Sequence, residues 1–219
     1  MLNVKSIRKD FPIFNSEKPF VYLDSASTTQ KPQIVIDALT SYYKSYAANV
    51  HRALYTIGEK ATDEYEGVRL KIKQFLNVPD THSVIFTRST TESLNLVAYA
   101  WGLKNLCKHD SVLVSEMEHH SNLVPWQLAT EKTGASIKYI PLTDDSLLNL
   151  ESLDSYFSSD TKLVSVCHQS NVFGTVNPID QIIDAAKNIG TITVIDGAQA
   201  VPHMNVDITK LDCDFYAFS

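Results

Sequence analysis

The chain has 219 residues, enough for one large domain or two small ones. Its formal net charge of −6 argues against a protein that binds nucleic acid by neutralising phosphates. No apolar stretch approaches the length of a membrane span, and residues 1–14 lack the apolar core of a signal peptide. The three cysteines form no C-x-x-C pair, which disfavours a zinc site or a disulfide framework and fits a cytoplasmic protein with reduced thiols.

Strand-like and helix-like segments alternate along the chain, without a repeat or a linker. Short apolar runs rich in Val, Ile, Phe and Tyr predict strands at 20–24, 83–87, 111–115, 136–141, 162–168, 191–196 and 213–218. Apolar residues at helical spacing predict helices between them, with stripes that face a core and begin at Val35, Tyr65, Leu94 and Ile179. The alternation predicts an α/β fold with a mainly parallel sheet flanked by helices.

Ligands of such sheets bind beyond the carboxyl ends of the strands. The segment 87–92 joins the predicted strand 83–87 to a predicted helix over 91–104, and it is rich in hydroxyl side chains. A helix that begins there presents free backbone N–H groups and the positive end of its dipole, which suits a phosphate. The same pattern is also typical of an ordinary helix N-cap.

Two histidine-containing clusters follow predicted strands. In 116–122, the adjacent His119 and His120 suggest ring stacking or acid–base chemistry, a metal site lacks a third ligand, and a plain surface loop is an equal alternative. In 168–174, polar side chains could direct hydrogen bonds into a cleft, or simply form a turn.

The segment 194–200 places Asp196 at the end of a buried strand, before small residues that would let a flat ligand approach. A buried carboxylate needs a partner, and a protonated pyridine nitrogen is one, whereas a helix-capping role is the alternative. The loop 49–52, with His51 and Arg52, indicates no function by itself.

Taken in order, these clusters resemble the class V, fold-type I enzymes that use pyridoxal 5′-phosphate (PLP). The resemblance is closest to SUF-type (SufS-like) cysteine desulfurases, with selenocysteine lyases nearby, and it runs through essentially the whole chain. The segments that carry it are 22–26, 48–52, 90–92, 117–122, 124–126, 170–172 with Gly174, 196–200 and 212–219.

The resemblance implies a role for each matching residue. Thr90, Thr91 and Ser219 would bind the phosphate of PLP, and His119 would stack on its ring and move protons. Asp196 would pair with the ring nitrogen, and Gln199 would form a hydrogen bond to the phenolic oxygen. Asn171 would face that oxygen or the substrate carboxylate. Ala26 and His51 are further candidates on the substrate side.

Three features depart from the family pattern. Ser89 stands where glycine is common and Ser27 where alanine is common, so a local effect on the phosphate turn is expected. The family continues beyond Phe218-Ser219 into Gly-His-Lys, whose lysine forms the Schiff base with PLP. The resemblance thus implies an N-terminal arm at 1–17 and a PLP-binding large domain at 18–219, without that lysine or the small C-terminal domain.

The implied activity of the parent protein is conversion of L-cysteine to L-alanine, with the sulfur passed on as persulfide to a SUF-type acceptor for iron–sulfur cluster assembly. A homodimer and no membrane or nucleic-acid partner are expected. Selenocysteine lyase and other class V enzymes are the alternatives. A further alternative is a non-catalytic fragment that binds PLP at most noncovalently, and the 219 residues alone are expected to be inactive. The resemblance assigns no sulfur-accepting role to Cys107, Cys167 or Cys213.

Overall fold

A computed structural model describes residues 3–16, 18 and 20–219. The chain divides into two compact units, Met1–Ile72 and Lys73–Ser219. This division does not test the arm at 1–17 and the large domain at 18–219, which stay a prediction.

The first unit is helical in its described part. It holds α1 (Val4–Lys9), a 3₁₀ turn (Pro12–Asn15), α2 (Gln33–Ser45) and most of α3 (Thr56–Phe75). The helical periodicity from Val35 and from Tyr65 is therefore confirmed. However, α2 buries none of its side chains, and large apolar residues remain exposed along it, namely Ile34, Val35, Leu39 and Tyr43. The expectation that the α2 stripe faces a core is not met within the described chain.

The second unit is built on a five-stranded parallel sheet in the order β2-β1-β3-β4-β5. Its strands are β1 (Ser111–Ser115), β2 (Ser136–Ile140), β3 (Thr161–Cys167), β4 (Ile192–Asp196) and β5 (Phe215–Ala217). The central strands β1, β3 and β4 are runs of largely β-branched and aliphatic residues that are mostly buried, since each face of a parallel sheet is covered by helices, whereas the edge strands β2 and β5 are more exposed. The predicted α/β fold is confirmed.

Helices cover both faces of this sheet. The described helices of the second unit are α4 (Thr90–Val97), α5 (Leu103–Asn105), α6 (His120–Thr133), α7 (Leu153–Tyr156), α8 (Ile179–Asn188) and α9 (Ile208–Leu211), with a π-helical stretch (Ala98–Gly102) between α4 and α5. Leu113 packs with Ile182 of α8 on one face, and its neighbour Val112 packs with Trp126 of α6 on the other. Successive strand residues thus point into two separate cores.

The helix α6 was not predicted. Its N-cap is His119, Pro125 lies inside it, and it ends at Gly134, whose φ of 77° is the left-handed conformation that favours glycine. Pro125 interrupts the helical hydrogen bonds. The polar residues at the start of α6 make its apolar face, which buries Trp126, hard to recognise from the sequence.

Two predicted strands, 20–24 and 83–87, are wrong, because no strand is assigned to either segment. Apolar composition suggested both segments, but composition alone does not determine where a strand forms. The burial expected for such runs is also missing, since Val21, Leu23 and Ile85 are 79%, 92% and 68% exposed. Within the described residues, no helix has the length and apolarity to cross a membrane.

Burial of α8 against the sheet can be measured with two isoleucines. Ile182 is fully buried, whereas Ile189, at the C-cap of the same helix, is 47% exposed. We expect Ile182→Ala to lower the free energy of unfolding by about 3 kcal/mol, through lost burial and a cavity, and Ile189→Ala by under about 1 kcal/mol. Urea unfolding of both variants checks this, and equal losses would contradict the described packing.

Candidate functional site

The carboxyl ends of the parallel strands bring several polar clusters to one edge of the sheet. The register pairs Cys167 with Asp196 and Asp196 with Ala217, so the segments that follow β3, β4 and β5 leave the sheet side by side. The segment 116–119 follows β1 at the same edge, because β1 runs parallel to β3. The polar clusters predicted at the strand ends therefore lie at one edge of the sheet, and their chemical roles stay predictions.

Thr90 and Ser219 are brought together at the start of α4. Ser219 Oγ lies 2.6 Å from Thr90 Oγ1 and accepts a hydrogen bond from Thr90 N at 3.0 Å. Thr91 is exposed in the same first turn and lines an open depression of about 680 Å³. Two hydroxyl groups beside a helix N-terminus are an arrangement that can bind phosphate oxygens.

Ser89 causes no backbone strain at this turn. Its φ is −172° and its ψ is 166°, which is extended backbone that any residue adopts, so the concern raised by a missing glycine does not apply. Its side chain instead accepts a hydrogen bond from Glu92 N at 3.2 Å and caps α4. The segment is therefore both an N-cap and a possible phosphate site.

Asp196 is a buried carboxyl group at the end of β4. It is 4% exposed, and its Oδ1 accepts a hydrogen bond from Ala198 N at 3.0 Å. Burial raises the pKa of Asp196, while that hydrogen bond and the charge of His119 act in the opposite direction. A buried acid in this state favours a cationic or hydrogen-bond-donating partner.

His119 is the N-cap of α6 and is exposed. Its Nδ1 accepts a hydrogen bond from Ser121 N at 3.1 Å and lies 2.7 Å from Ser121 Oγ. Because Nδ1 is an acceptor, a neutral ring carries its proton on Nε2. The ring is thus held by one nitrogen and presents the other to a ligand.

Glu118 lies in a cluster found from sequence, but no role was assigned to it there. Its carboxylate accepts hydrogen bonds from Ser115 Oγ, from Cys167 N at 3.0 Å and from Asn122 Nδ2 at 2.6 Å. Burial is the largest effect on this group and raises its pKa to about 7, against the three hydrogen bonds that lower it, with the charge of Asp196 adding to the rise. Sequence spacing could not reveal this residue, because its burial depends on three separate elements.

A second group missed from sequence lies behind Asp196. His168 Nδ1 is 2.8 Å from Tyr216 Oη, and His168 N donates to the carbonyl oxygen of Asp196 at 2.8 Å. Burial lowers the pKa of His168. The Tyr216 ring packs so closely on Gly197 that a Cβ there would lie 2.1 Å from it. His168 and Tyr216 therefore fix the backbone at the end of β4.

Asn171 and Gln199 lie in turns after β3 and β4. Asn171 is exposed, in a turn where Ser170 Oγ accepts hydrogen bonds from Val172 N and Phe173 N. Gln199 is half-buried, and its carbonyl oxygen lies 2.6 Å from His203 Nδ1. Among the described residues, no hydrogen bond joins Asn171 to the buried Asp196. The roles expected of Asn171 and Gln199 stay predictions.

Ala26 and His51 belong to the first unit, described by itself. Ala26 lies in a turn. His51 has a φ of 73°, its Nε2 lies 2.7 Å from Glu66 Oε1, and its ring meets Tyr65 edge-on with centroids 5.6 Å apart. Their assignment to the substrate side stays a prediction.

The described residues contain no group of His, Cys, Asp or Glu side chains that could hold a metal ion. Cys167 and Cys213 are buried, and Cys213 precedes β5 rather than lying within it as predicted. Burial raises the pKa of both thiols, to about 12 for Cys213. Cys107 is exposed and lies before β1, at the opposite strand end from the site.

Comparison with known proteins finds a family and its members. The model of the family described as aminotransferase class-V matches residues 21–219. A "Probable cysteine desulfurase" of Halalkalibacterium halodurans is 47% identical over 100% of this chain and 54% of its own length. A "Cysteine desulfurase" of Salmonella newport is 45% identical over 99% of this chain and 54% of its own length. The chain therefore spans about half the length of these curated relatives.

Two solved structures are similar throughout this chain. The cysteine desulfurase CsdA from Escherichia coli is 36% identical with a TM-score of 0.89, and covers 100% of this chain with 54% of its own. An apo cysteine desulfurase from Thermococcus onnurineus NA1 is 36% identical with a TM-score of 0.92, and the match covers 100% of this chain and 53% of that one. The resemblance stated from sequence is confirmed by these matches.

The close packing at Gly197 predicts a steric cost. Gly197→Ala should lower the free energy of unfolding by about 1–3 kcal/mol, because its Cβ overlaps the Tyr216 ring. Gly102→Ala is a suitable control, since its Cβ would meet Trp126 at an ordinary 3.4 Å. Urea unfolding compares them, and Gly197→Ala combined with Tyr216→Ala should show part of the clash relieved. Equal effects of the two single variants would rule out the described approach.

The raised pKa of Glu118 predicts a pH-dependent stability. The folded chain holds this proton more tightly than the unfolded chain, so its contribution is complete below about 4.5 and is lost as pH rises through about 7. In Glu118→Gln that loss is absent. We therefore expect its free energy of unfolding to rise relative to wild type across this range, by up to about 3 kcal/mol.

Glu131→Gln, an exposed residue of α6, removes the same charge without this effect. Chemical unfolding at a series of pH values checks the prediction. A Glu118→Gln curve parallel to wild type at all pH values would show that Glu118 titrates normally.

Proposed function

This chain belongs to the class-V aminotransferase family, and from that premise we propose that the gene product is a PLP-dependent cysteine desulfurase. It would convert L-cysteine to L-alanine and pass the sulfur on as persulfide. The observation that carries the proposal is the buried Asp196 at the end of β4, with the charge of His119 near it. The names of the relatives and of the similar structures support the substrate class.

The residues at the strand ends fit PLP. The buried carboxyl of Asp196 needs a partner of the kind that a protonated pyridine nitrogen provides. Gly197 lets the Tyr216 ring pack directly on the backbone that follows Asp196. The paired hydroxyl groups of Thr90 and Ser219 at the start of α4 suit a phosphate. When bound, PLP supplies a ring that accepts electrons from the substrate α-carbon.

The chain's own residues would do the remaining work. Asp196 would pair with the ring nitrogen as the ionised carboxylate and keep that nitrogen protonated. His119 would stack on the ring and hold or move a proton at Nε2, since its Nδ1 accepts a hydrogen bond from Ser121 N. Gln199 would bind the phenolic oxygen, and Asn171 that oxygen or the substrate carboxylate. Thr91 would add a phosphate contact in the first turn of α4, and Ala26 and His51 would lie on the substrate side.

The sulfur-accepting thiol is proposed to be none of the three cysteines. A thiol attacks as the thiolate, so the raised pKa values of Cys167 and Cys213 make them poor nucleophiles. Cys107 lies before β1, whereas the site lies after the strands. The same proposal includes a homodimer, a SUF-type acceptor protein, iron–sulfur cluster assembly and a cytoplasmic location.

The proposal is tested first on cofactor binding. We expect the 219-residue chain to bind PLP noncovalently and Asp196→Asn to weaken that affinity by about 10- to 100-fold, the value of one charge-assisted hydrogen bond. Asp184→Asn, an exposed residue of α8, is the matched control. Equilibrium dialysis measures all three affinities, and equal affinities of the two variants would refute the role of Asp196.

Activity is measured in the same preparation and in the full-length product of the gene. The 219 residues alone are expected to release no sulfide from L-cysteine, because they span about half of the relatives' length. The full-length product is expected to form L-alanine. A strong preference for L-selenocysteine would favour the alternative, a selenocysteine lyase. Failure to form alanine from either substrate would support a non-catalytic, PLP-binding chain.

A further inference from the structure

We propose that Glu118 is a positioning residue of this site, which ties His119 to the strand ends and exchanges a proton with its surroundings as the charge at Asp196 changes. The proposal rests on the proposed function, because it concerns the residues offered for the PLP ring. It goes further in assigning a role to a side chain that does not face the ligand.

The first argument is that Glu118 connects three elements. Its carboxylate accepts hydrogen bonds from the last residue of β1, Ser115, from the last residue of β3, Cys167, and from Asn122 in the first turn of α6. The next residue along the chain is His119. The ring of His119 therefore starts from a backbone position that the Glu118 carboxylate fixes against two strands.

The second argument concerns where a proton can sit on Glu118. Trp126 Nε1 can only donate, and it donates to Asn122 Oδ1 at 3.3 Å, where Ser165 Oγ also donates at 2.6 Å. This fixes the Asn122 amide with its Nδ2 towards Glu118 Oε2. Oε2 therefore accepts a hydrogen bond, and a proton is better placed on Oε1, beside the Ser115 hydroxyl.

Oε1 faces a partner that can reverse its role. Cys167 N–H is a fixed donor, but the Ser115 hydroxyl either donates to a carboxylate or accepts from a carboxylic acid. Ser115 Oγ also accepts from Met117 N at 3.2 Å, which holds it in place in both states. The site thus accommodates Glu118 in either protonation state without moving a backbone atom.

The third argument is the closeness of Asp196. Glu118 binds the N–H of Cys167, and Cys167 is the residue paired with Asp196 across β3 and β4. Paired residues on adjacent strands lie about 5 Å apart. The titratable groups that face this region are Asp196 on β4, the thiol of Cys167 on β3, and His119 before α6.

Glu118 is linked to the strand position beside Asp196 through Cys167, and two acids related in this way are not expected to ionise independently. The raised pKa of Glu118 supports this, because the charge of Asp196 contributes to it. When no cation faces Asp196, a proton on Glu118 relieves the repulsion. When a cationic ring faces Asp196, Glu118 can ionise and hold the segment of His119 through three charge-assisted hydrogen bonds.

The test is a carbon-13 NMR titration of the side-chain carboxyl groups in the cofactor-free chain. We expect Asp196→Asn to lower the titration midpoint of Glu118 by about one pH unit, and Glu118→Gln to lower that of Asp196 by a similar amount, since coupling is reciprocal. Glu131→Gln should move neither midpoint. An unchanged Glu118 midpoint in Asp196→Asn overturns the proposal, whatever the stability of Glu118→Gln.

The positioning role is tested in the same samples through the imidazole signals of His119. Glu118→Gln should change the pH profile of these signals, and Glu131→Gln should leave it as in wild type. A wild-type profile in Glu118→Gln would overturn the positioning role. Both measurements use the cofactor-free chain, so they are independent of the proposed function. Failure of the wild-type chain to bind PLP would refute that function without affecting the coupling between Glu118 and Asp196.

Discussion

The parallel register of β3, β4 and β5 is the constraint on which the site depends. It sets Cys167, Asp196 and Ala217 in one row, so the polar segments after these strands leave the sheet together. Backbone hydrogen bonds hold this row, and strand residues such as Val164, Ile195 and Val194 are fully buried between two helical layers. The packed apolar core therefore holds the strand ends in the positions from which the site's hydrogen bonds form.

The strands of the sheet were predictable from sequence where a short apolar run is also paired with a neighbouring strand. Short runs such as 111–115 and 162–168 are buried on both faces, and they lie within one residue of β1 and β3. The run 83–87 has the same composition but no strand assignment, because local sequence does not state which neighbour is available. The helix α6 was missed for the opposite reason, since Pro125 and a polar start obscure an apolar face whose Trp126 is fully buried.

The candidate site was predictable as a set of segments and less so as a set of interactions. Thr90, Ser219, His119 and Asp196 came from ordered motifs. The structure brings the Thr90 and Ser219 hydroxyl groups together, and the charge of His119 lowers the pKa of Asp196 against the effect of burial. Glu118 could not be found this way, because its partners come from β1, β3 and α6. Ser89 shows the converse case: a rule about glycine predicted strain, but the extended backbone accepts a serine.

The buried acid Asp196 and the half-buried acid Glu118 give the site a charge preference that neither has alone. Burial raises the pKa of both Asp196 and Glu118, so the empty site disfavours two negative charges. A cationic ring bound beside Asp196, as proposed, would remove that penalty and let Glu118 lose its proton to solvent. Ligand binding and proton release would then be linked, and by linkage this contribution to affinity would grow as pH rises. The Ser115 hydroxyl, which can donate or accept, places this exchange on the Oε1 side of Glu118. In the proposed site, the residue that positions His119 would also respond to the charge of the bound ring.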